Sequence, residues 1–307
     1  MQSVQWYPGH MAKAMREMEE KLKIVDIVLE LIDARIPLSS QNPSINQSLI
    51  QKNKPRLVIL NKIDMADAQV NKEWLKYFED QGIRCLLVDS NKGINTNKIT
   101  NICKEVLKEK LEREKMKGLK PRSIRTIVIG IPNVGKSTLI NKLVGRNTAI
   151  TGNKPGVTKA QQWIRINKDL DLLDTPGVLW PKFDDIKVGY NLAITGAIKD
   201  DIIHRDDMVL YFLDFLRNSE YKQLFEDRYS VSLDEDNVSV LDKMASDRAW
   251  KRNGYSDYER VYDLILNDFR SLKLGHISIE RPWFIISMKM KINYGVKDTN
   301  ISLVVMK

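Results

Sequence analysis

The 307-residue chain has only two cysteines and three histidines, and this scarcity removes several chemistries at once. Cys85 and Cys103 stand in apparent strand and helix contexts without metal-ligand spacing. Reduced, buried thiols are expected, with neither zinc nor a disulfide. No cysteine nucleophile and no methyl-donor motif is visible. His204 and His276 have no partner in the pattern, so surface or core positions are their default. Long apolar runs are missing too: none approaches the ~20 residues of a membrane span. Residues 1–10 lack the apolar core of a signal peptide. A cytoplasmic protein with no membrane partner is therefore expected.

What remains is ordinary globular composition, 43% hydrophobic and 29% charged, in a chain long enough for two domains with proper cores. The net charge of +9 asks for an acidic partner, without choosing between nucleic acid and an anionic membrane surface. Residues 98–125 hold ten basic side chains against four acidic ones, divided by a break at residues 118–121. RNA is the preferred partner for such an edge. The competing reading is a solvated helix stitched by pairs such as Glu105, Glu109 and Arg113.

Gly130-Ile131-Pro132-Asn133-Val134-Gly135-Lys136-Ser137 fits the phosphate-loop pattern G-x-x-x-x-G-K-[ST] without a mismatch. A β-branched stretch, residues 123–129, precedes it and an amphipathic stretch, residues 137–144, follows. This is the strand, loop and helix that phosphate binding requires. Gly130 and Gly135 permit the tight turn, so that backbone N–H groups from Asn133 and Val134 through Thr138 face phosphate oxygens at the positive end of a helix dipole. Lys136 reaches the β- and γ-phosphates, and the Ser137 hydroxyl is a Mg²⁺ ligand.

Earlier in the chain, the strand at residues 56–60 runs into Asn61-Lys62-Ile63-Asp64, an N-K-x-D sequence. Guanine offers N1–H and an amino group on one edge, and the Asp64 carboxylate can accept both. Adenine has no such pair of donors, so this residue selects GTP and GDP over adenine nucleotides. Asn61 and Lys62 brace the loop and cover the ring. After a helix at residues 67–81 and a strand at 83–88, Ser90-Asn91-Lys92 is a loose form of a third guanine-contacting element, with Ser90 as its candidate. A helix over residues 94–117 leads to the phosphate loop.

Beyond it, residues 151–158 are polar and turn-rich, the place for a first switch. Thr158 is the candidate second hydroxyl on Mg²⁺, with Thr151 or a plain surface turn as alternatives. A hairpin of residues 162–166 and 170–173 delivers Asp174-Thr175-Pro176-Gly177, a D-x-x-G sequence. Asp174 holds Mg²⁺ through water, and the Gly177 N–H senses the γ-phosphate. Near the start, residues 11–23 make an amphipathic helix. Residues 24–32 read as a strand partly buried in a parallel sheet, with Asp33 to Pro37 as a loop after it.

The N-K-x-D element lies about seventy residues ahead of the phosphate loop, the reverse of the usual order of GTPases. The expected fold is α/β: a circularly permuted P-loop GTPase domain with a mostly parallel, doubly wound sheet, followed by a small all-α domain. Domains of residues 1–182 and 183–282 are expected, with a tail of residues 283–307. Because the chain leaves the second switch directly into the helical region, the γ-phosphate should pull on that region.

Together with Tyr7-Pro8-Gly9-His10-Met11-Ala12-Lys13-Ala14, Asp33-Ala34-Arg35-Ile36-Pro37 and Asp174 to Phe183, these motifs in this order resemble the bacterial ribosome biogenesis GTPase A family, of the YlqF type. The resemblance covers about residues 4–282. It implies GTP hydrolysis during late assembly of the large ribosomal subunit, stimulated by the particle. The implied partners are rRNA and ribosomal proteins, and the implied state is a monomer. It also implies how water is activated. Val178 occupies the position where many GTPases carry a water-orienting glutamine, and a valine can neither donate nor accept. In similar GTPases Asn133 helps to hold a K⁺ ion, and His10 is the family's candidate for positioning the water. The other reading of His10 is a turn residue capping the helix that follows it.

From residue 185 the pattern is helical, at 188–197, 205–218, 221–229, 237–253 and 258–272, a bundle of about ninety residues. Resemblance makes it an RNA-contacting unit with Lys243, Arg248, Lys251, Arg252, Arg270 and Lys273 as phosphate contacts, although scattered basic residues on helices commonly serve solubility. The tail, apolar and β-prone, departs from the family and is open to three readings: a strand pair, a disordered segment or an altered end of the reading frame. Three functions compete: an assembly GTPase, a switch in RNA modification or another process, and a nucleotide-stabilised RNA-binding module with negligible turnover.

Overall fold

A computed structural model describes residues 8–145, 163–173 and 185–282, with side chains from residue 16 onward in the first helix. Thr151, Thr158, Asp174, Gly177, Val178 and the tail from residue 283 lie outside the described residues, as does the side chain of His10.

The first unit alternates helix and strand: α1 (Pro8–Ile24), β1 (Ile27–Asp33), α2 (Pro43–Gln51), β2 (Arg56–Asn61), α3 (Ala68–Asp80), β3 (Arg84–Val88), α4 (Ile99–Val106), α5 (Lys108–Met116), β4 (Ile124–Ile129), α6 (Lys136–Val144), β5 (Trp163–Asn167) and β6 (Leu170–Leu173). They build a six-stranded sheet in the order β3-β2-β1-β4-β6-β5. All pairings are parallel except β5 against β6. The permuted α/β sheet expected from the motif order is the one observed.

Parallel strands covered on both faces need apolar side chains on both, and β1 is buried along its whole length. Its Ile27, Leu29 and Leu31 join the cluster that includes α4 and α6, while Val28 packs with Met18 and Leu22 of α1, and Ile32 with Trp74 and Phe78 of α3. Glu30, in the middle of β1, is buried against Arg56 at 2.9 Å. Its pKa is raised, since burial outweighs the guanidinium.

Several boundaries differ from the sequence reading. Ile24 closes α1 and is partly exposed, so the strand begins at Ile27, and Asp33 is its last residue. The expected helix over residues 94–117 is two helices that break at Leu107. That side chain is buried, whereas α5 buries none of its own. The break swings α5 so that Lys110, at 2.5 Å, joins Arg122 on the nearly buried Asp26. Burial alone would raise Asp26, but Arg122 and Lys110 hold it well below the usual carboxylate range. Lys104 pairs with Asp169 at 2.7 Å, and Arg125 lies over the Trp163 ring. Much of the basic run therefore serves this chain's own acids and rings. Helix α2 was not foreseen, although Asn42 caps it and Pro43 opens it, both recognisable start signals.

The second unit comprises α7 (Ile186–Ile194), α8 (Arg205–Arg217), α9 (Lys222–Tyr229), α10 (Asn237–Ser246), β7 (Lys251–Arg252), β8 (Tyr255–Ser256) and α11 (Tyr258–Arg270). The helix expected over residues 237–253 ends at Ser246, where Ala249 takes a left-handed φ of +52° and the Trp250 N–H returns to the Ala245 carbonyl; beyond it Asn253-Gly254 forms a hairpin turn with both residues at positive φ. This dipeptide is a strong hairpin signal. Arg270 is not a surface phosphate contact: it donates to the carbonyls of Ala193 and Ile194 and pairs with Asp200. Arg248 lies over the rings of Tyr229 and Trp250, and Lys273 pairs with Asp268 at 3.3 Å. Lys243, Lys251 and Arg252 are exposed.

The two units share one apolar core, which runs from Leu29 and Ile131 through Leu192 and Phe212 to Phe269 and Ile277. After α11 the chain returns to the sheet. The half-buried Glu280 carboxylate accepts from the N–H groups of Leu38 and Ser39 and from Asn191, and the Glu280 carbonyl accepts from the Trp74 indole at 3.0 Å. Burial pushes the Glu280 pKa up against those bonds.

Candidate functional site

The carboxyl ends of β1, β2, β3 and β4 lie along one edge of the sheet, where Asp33 pairs in register with Asn61 and Asn61 with Val88. Ligands of doubly wound sheets bind at that edge. The phosphate loop leaves β4 there and enters α6 at Lys136. An added Cβ on Gly130 would stand 2.5 Å from the Leu31 carbonyl oxygen, so only glycine lets β1 and the loop approach this closely. Gly135 has φ +101°, and a Cβ there would strike the Asn61 side-chain amide.

That amide joins three loops. Asn61 Nδ2 donates to the Val134 carbonyl at 2.8 Å, while its Oδ1 accepts from the Ser90 N–H at 3.1 Å and the Ser90 hydroxyl at 2.7 Å. The orientation is forced, because a carbonyl cannot donate and an N–H cannot accept. Asn61 and Ser90 are buried. A single side chain thus sets the phosphate loop, the N-K-x-D loop and the loop after β3 against one another. On this geometry Gly135→Ala is expected to weaken GDP binding about tenfold or more, from left-handed strain of ~1–3 kcal/mol plus displacement of Asn61. A calorimetric titration that returned wild-type affinity would remove the contact from the site.

Asp64 Oδ1 is buried without a hydrogen-bond partner. An orphaned carboxylate oxygen is costly, and here it lies in the residue that sequence chemistry assigned to the guanine donors. Lys62 has φ +62° and its Nζ pairs with Asp33 at 2.9 Å. Lys136 Nζ donates to the carbonyls of Gly130 and Ile131 at 2.9 and 2.6 Å, and burial lowers its pKa to about 8. Ser137 and Thr138 are exposed on the first turn of α6. Asn133 is exposed at φ +56° and donates through Nδ2 to the Gly196 carbonyl at 3.1 Å. His10 lies in the first turn of α1 by its backbone.

The structure therefore brings together Asn61, Lys62, Asp64, Ser90, Asn133, Val134, Gly135, Lys136, Ser137 and Thr138 on one edge. Sequence reasoning missed Asp33 and Arg35, which it placed in a loop of unassigned purpose. Arg35 donates from Nε and Nη2 to the two Asp33 oxygens at 2.9 and 2.8 Å. The two-residue spacing of opposite charges at a strand end was the available signal. Of the two thiols Cys103 is buried, as expected, and Cys85 only half-buried; burial holds both above the usual thiol range, Cys103 at about 12.

The chain matches known proteins over most of its length. A family model described as "50S ribosome-binding GTPase" matches residues 125–243, and one described as "RsgA GTPase" matches residues 38–183. Ribosome biogenesis GTPase A of Bacillus pumilus is 50% identical over 282 residues, 91% of this chain and 99% of that protein. The protein of the same name in Thermotoga maritima is 30% identical over 95% of this chain and 99% of its own. The crystal structure of GNP-bound YlqF from T. maritima superposes with a TM-score of 0.62 at 24% identity, covering 88% of this chain and 98% of that one, a likeness of fold. With its N-K-x-D and phosphate-loop sequences meeting over one sheet edge in permuted order, the chain is a GTP hydrolase of the ribosome biogenesis GTPase A family.

Proposed function

We propose that this protein binds the maturing large ribosomal subunit through rRNA, and through ribosomal proteins at the same site, and hydrolyses GTP during late assembly. The observation that carries the reading is the Asn61 amide, which couples a guanine-reading loop to a phosphate loop about seventy residues away in the chain. Residues 1–182 are the GTPase domain in this reading, and residues 183–282 the RNA-contacting one. Exposed Lys243, Lys251 and Arg252 are the phosphate contacts left to that unit, with exposed Lys98, Lys108, Lys115, Lys117 and Lys120 on the first. Among the described residues no helix is long and apolar enough to cross a membrane; the reading adds that the protein acts in the cytoplasm as a monomer.

Asn61, Lys62, Asp64 and Ser90 form the guanine end of the site, and Asn133 to Thr138 the phosphate end. Ser137 has an exposed hydroxyl in the first turn of α6, as a Mg²⁺ ligand requires. Thr158 and Asp174 complete the set, and the Gly177 N–H reads the γ-phosphate. When bound, the metal neutralises charge that develops between the β- and γ-phosphates. Asn133 fits a K⁺ site because its Nδ2 is spent on Gly196, which leaves Oδ1 for a cation. His10 accepts from the attacking water. His10→Ala is then expected to slow particle-stimulated turnover about a hundred-fold with GTP affinity unchanged, and unaltered turnover would remove His10 from the chemistry.

GTP turnover with and without purified large subunits, in K⁺ and in Na⁺ buffers, tests the whole reading. Strong stimulation by the particle in K⁺ supports it. Binding to the particle without turnover would instead support a nucleotide-regulated RNA-binding module, the reading favoured by Val178 in the glutamine position.

A further inference from the structure

The Asp33–Arg35 pair is more than a strand-end salt bridge, because each partner holds something else. Asp33 Oδ2, bonded to Arg35, also pairs with Lys62 Nζ at 2.9 Å. Arg35 is buried with 1% of its surface exposed, and its Nη2 also donates to the Thr195 carbonyl at 3.2 Å, in the turn that ends α7. Its guanidinium stands 5.3 Å from the centre of the Phe269 ring on α11. Its backbone carbonyl accepts the N–H groups of Ile279 and Glu280, at 2.9 and 3.3 Å, where the chain returns from the helical unit. Burial alone would raise Asp33, but Arg35 and Lys62 hold it well below the usual carboxylate range. Nη1 of Arg35 is buried without a partner. A desolvated guanidinium left incompletely bonded is costly to keep, and its planar fork fits this geometry as a lysine would not.

We propose that Arg35 is a positioning residue for guanine recognition: through Asp33 it holds Lys62 at the base site, and through α7, α11 and the returning segment it ties that site to the helical unit. This rests on the reading of residues 61–64 as the guanine loop. Filling the base site and seating the helical unit then favour one another, because a coupling between two events is reciprocal. The coupling needs no contact between nucleotide and helical unit. It runs from base to Lys62, to Asp33, to Arg35, and from there to the Thr195 carbonyl and the amides of Ile279 and Glu280.

Two measurements on the full chain test this. In calorimetric GDP titrations, Lys62→Met is expected to cost about tenfold in affinity and Arg35→Lys several-fold, with the double variant no weaker than Lys62→Met alone. Losses that multiply would make Arg35 a merely structural residue and overturn the proposal. The second measurement keeps Arg35 native, so it holds even if Arg35→Lys fails to fold. Saturating GDP is expected to slow amide hydrogen exchange at Ile279 and Glu280 in the wild type but not in Lys62→Met. Equal slowing in both would overturn the route through Lys62. If Lys62→Met bound GDP with wild-type affinity, the guanine-loop reading would fall and this proposal with it. A tenfold loss combined with multiplying losses would sink the proposal alone.

Discussion

Lys136→Met is expected to slow GTP turnover by roughly 10²–10³, the usual cost of removing one preorganised charge from a transition state. The ammonium of Lys136 is largely buried and bonded to two peptide carbonyls of its own loop. Among the described residues no carboxylate pairs with it, and burial brings its pKa down to about 8. Such a charge is poorly solvated where it lies and gains most from anionic oxygens placed near it. A pH signature follows. The unfolded lysine titrates near 10.5, so between about 8 and 10.5 the folded chain holds fewer protons than the unfolded one, and this group's penalty on stability fades as pH rises through that window. Phosphate binding favours the charged form. GDP should therefore bind with proton uptake above pH 8, and its affinity should fall as pH climbs. Titrations at pH 8.5 in buffers of different ionisation enthalpy measure that uptake. Its persistence in Lys136→Met, or turnover near the wild-type rate, would exclude the assignment.

The second large effect is expected at the other end of the site. Asp64→Asn removes a carboxylate that can accept from both guanine donors and replaces one acceptor with an amide donor. One charge-assisted bond at ~1.5–3 kcal/mol is lost and the other loses its charge, so GDP affinity should drop by roughly 10²–10³. Xanthine carries a carbonyl where guanine has its amino group, and an amide N–H can donate to it. The variant should therefore gain affinity for xanthosine diphosphate while it loses GDP. Competition binding with GDP, XDP and ADP reads this out. Loss of all three together would indicate a collapsed loop, and unchanged GDP affinity would place the base elsewhere. The buried, partnerless Asp64 Oδ1 is the structural reason to expect selectivity to change and folding to survive.

These two residues were legible before any coordinates because each carries its chemistry in a short, contiguous pattern. A phosphate loop is a strand, a glycine turn and a helix in eight residues, and the guanine loop is four residues at a strand end. The α/β class and the circular permutation followed from the order of these motifs, whereas the strand order within the sheet came from the structure. Boundaries were less legible where a tertiary contact overrides local preference. The charged run after α4 has continuous helical propensity, yet it breaks at Leu107 because that side chain belongs to the core and because the buried Asp26 draws in Lys110 and Arg122. The basic residues misled for the same reason: Arg270 resembles a surface phosphate contact until the carbonyls of Ala193 and Ile194 are found around it.

Sequence alone pointed to a guanine nucleotide, to a phosphate loop at residues 130–137 and to a permuted α/β sheet, because those signals reside in neighbouring residues whose chemistry is complete by itself. Tertiary structure alone decided that Asn61 fastens three loops together and that Arg35 joins the guanine loop to the helical unit. It also decided that Glu280 returns the end of the described chain to the sheet. These links connect residues up to about two hundred and forty positions apart. Their energy comes from burial and directed hydrogen bonds that exist only once the core has formed, so no local pattern could announce them.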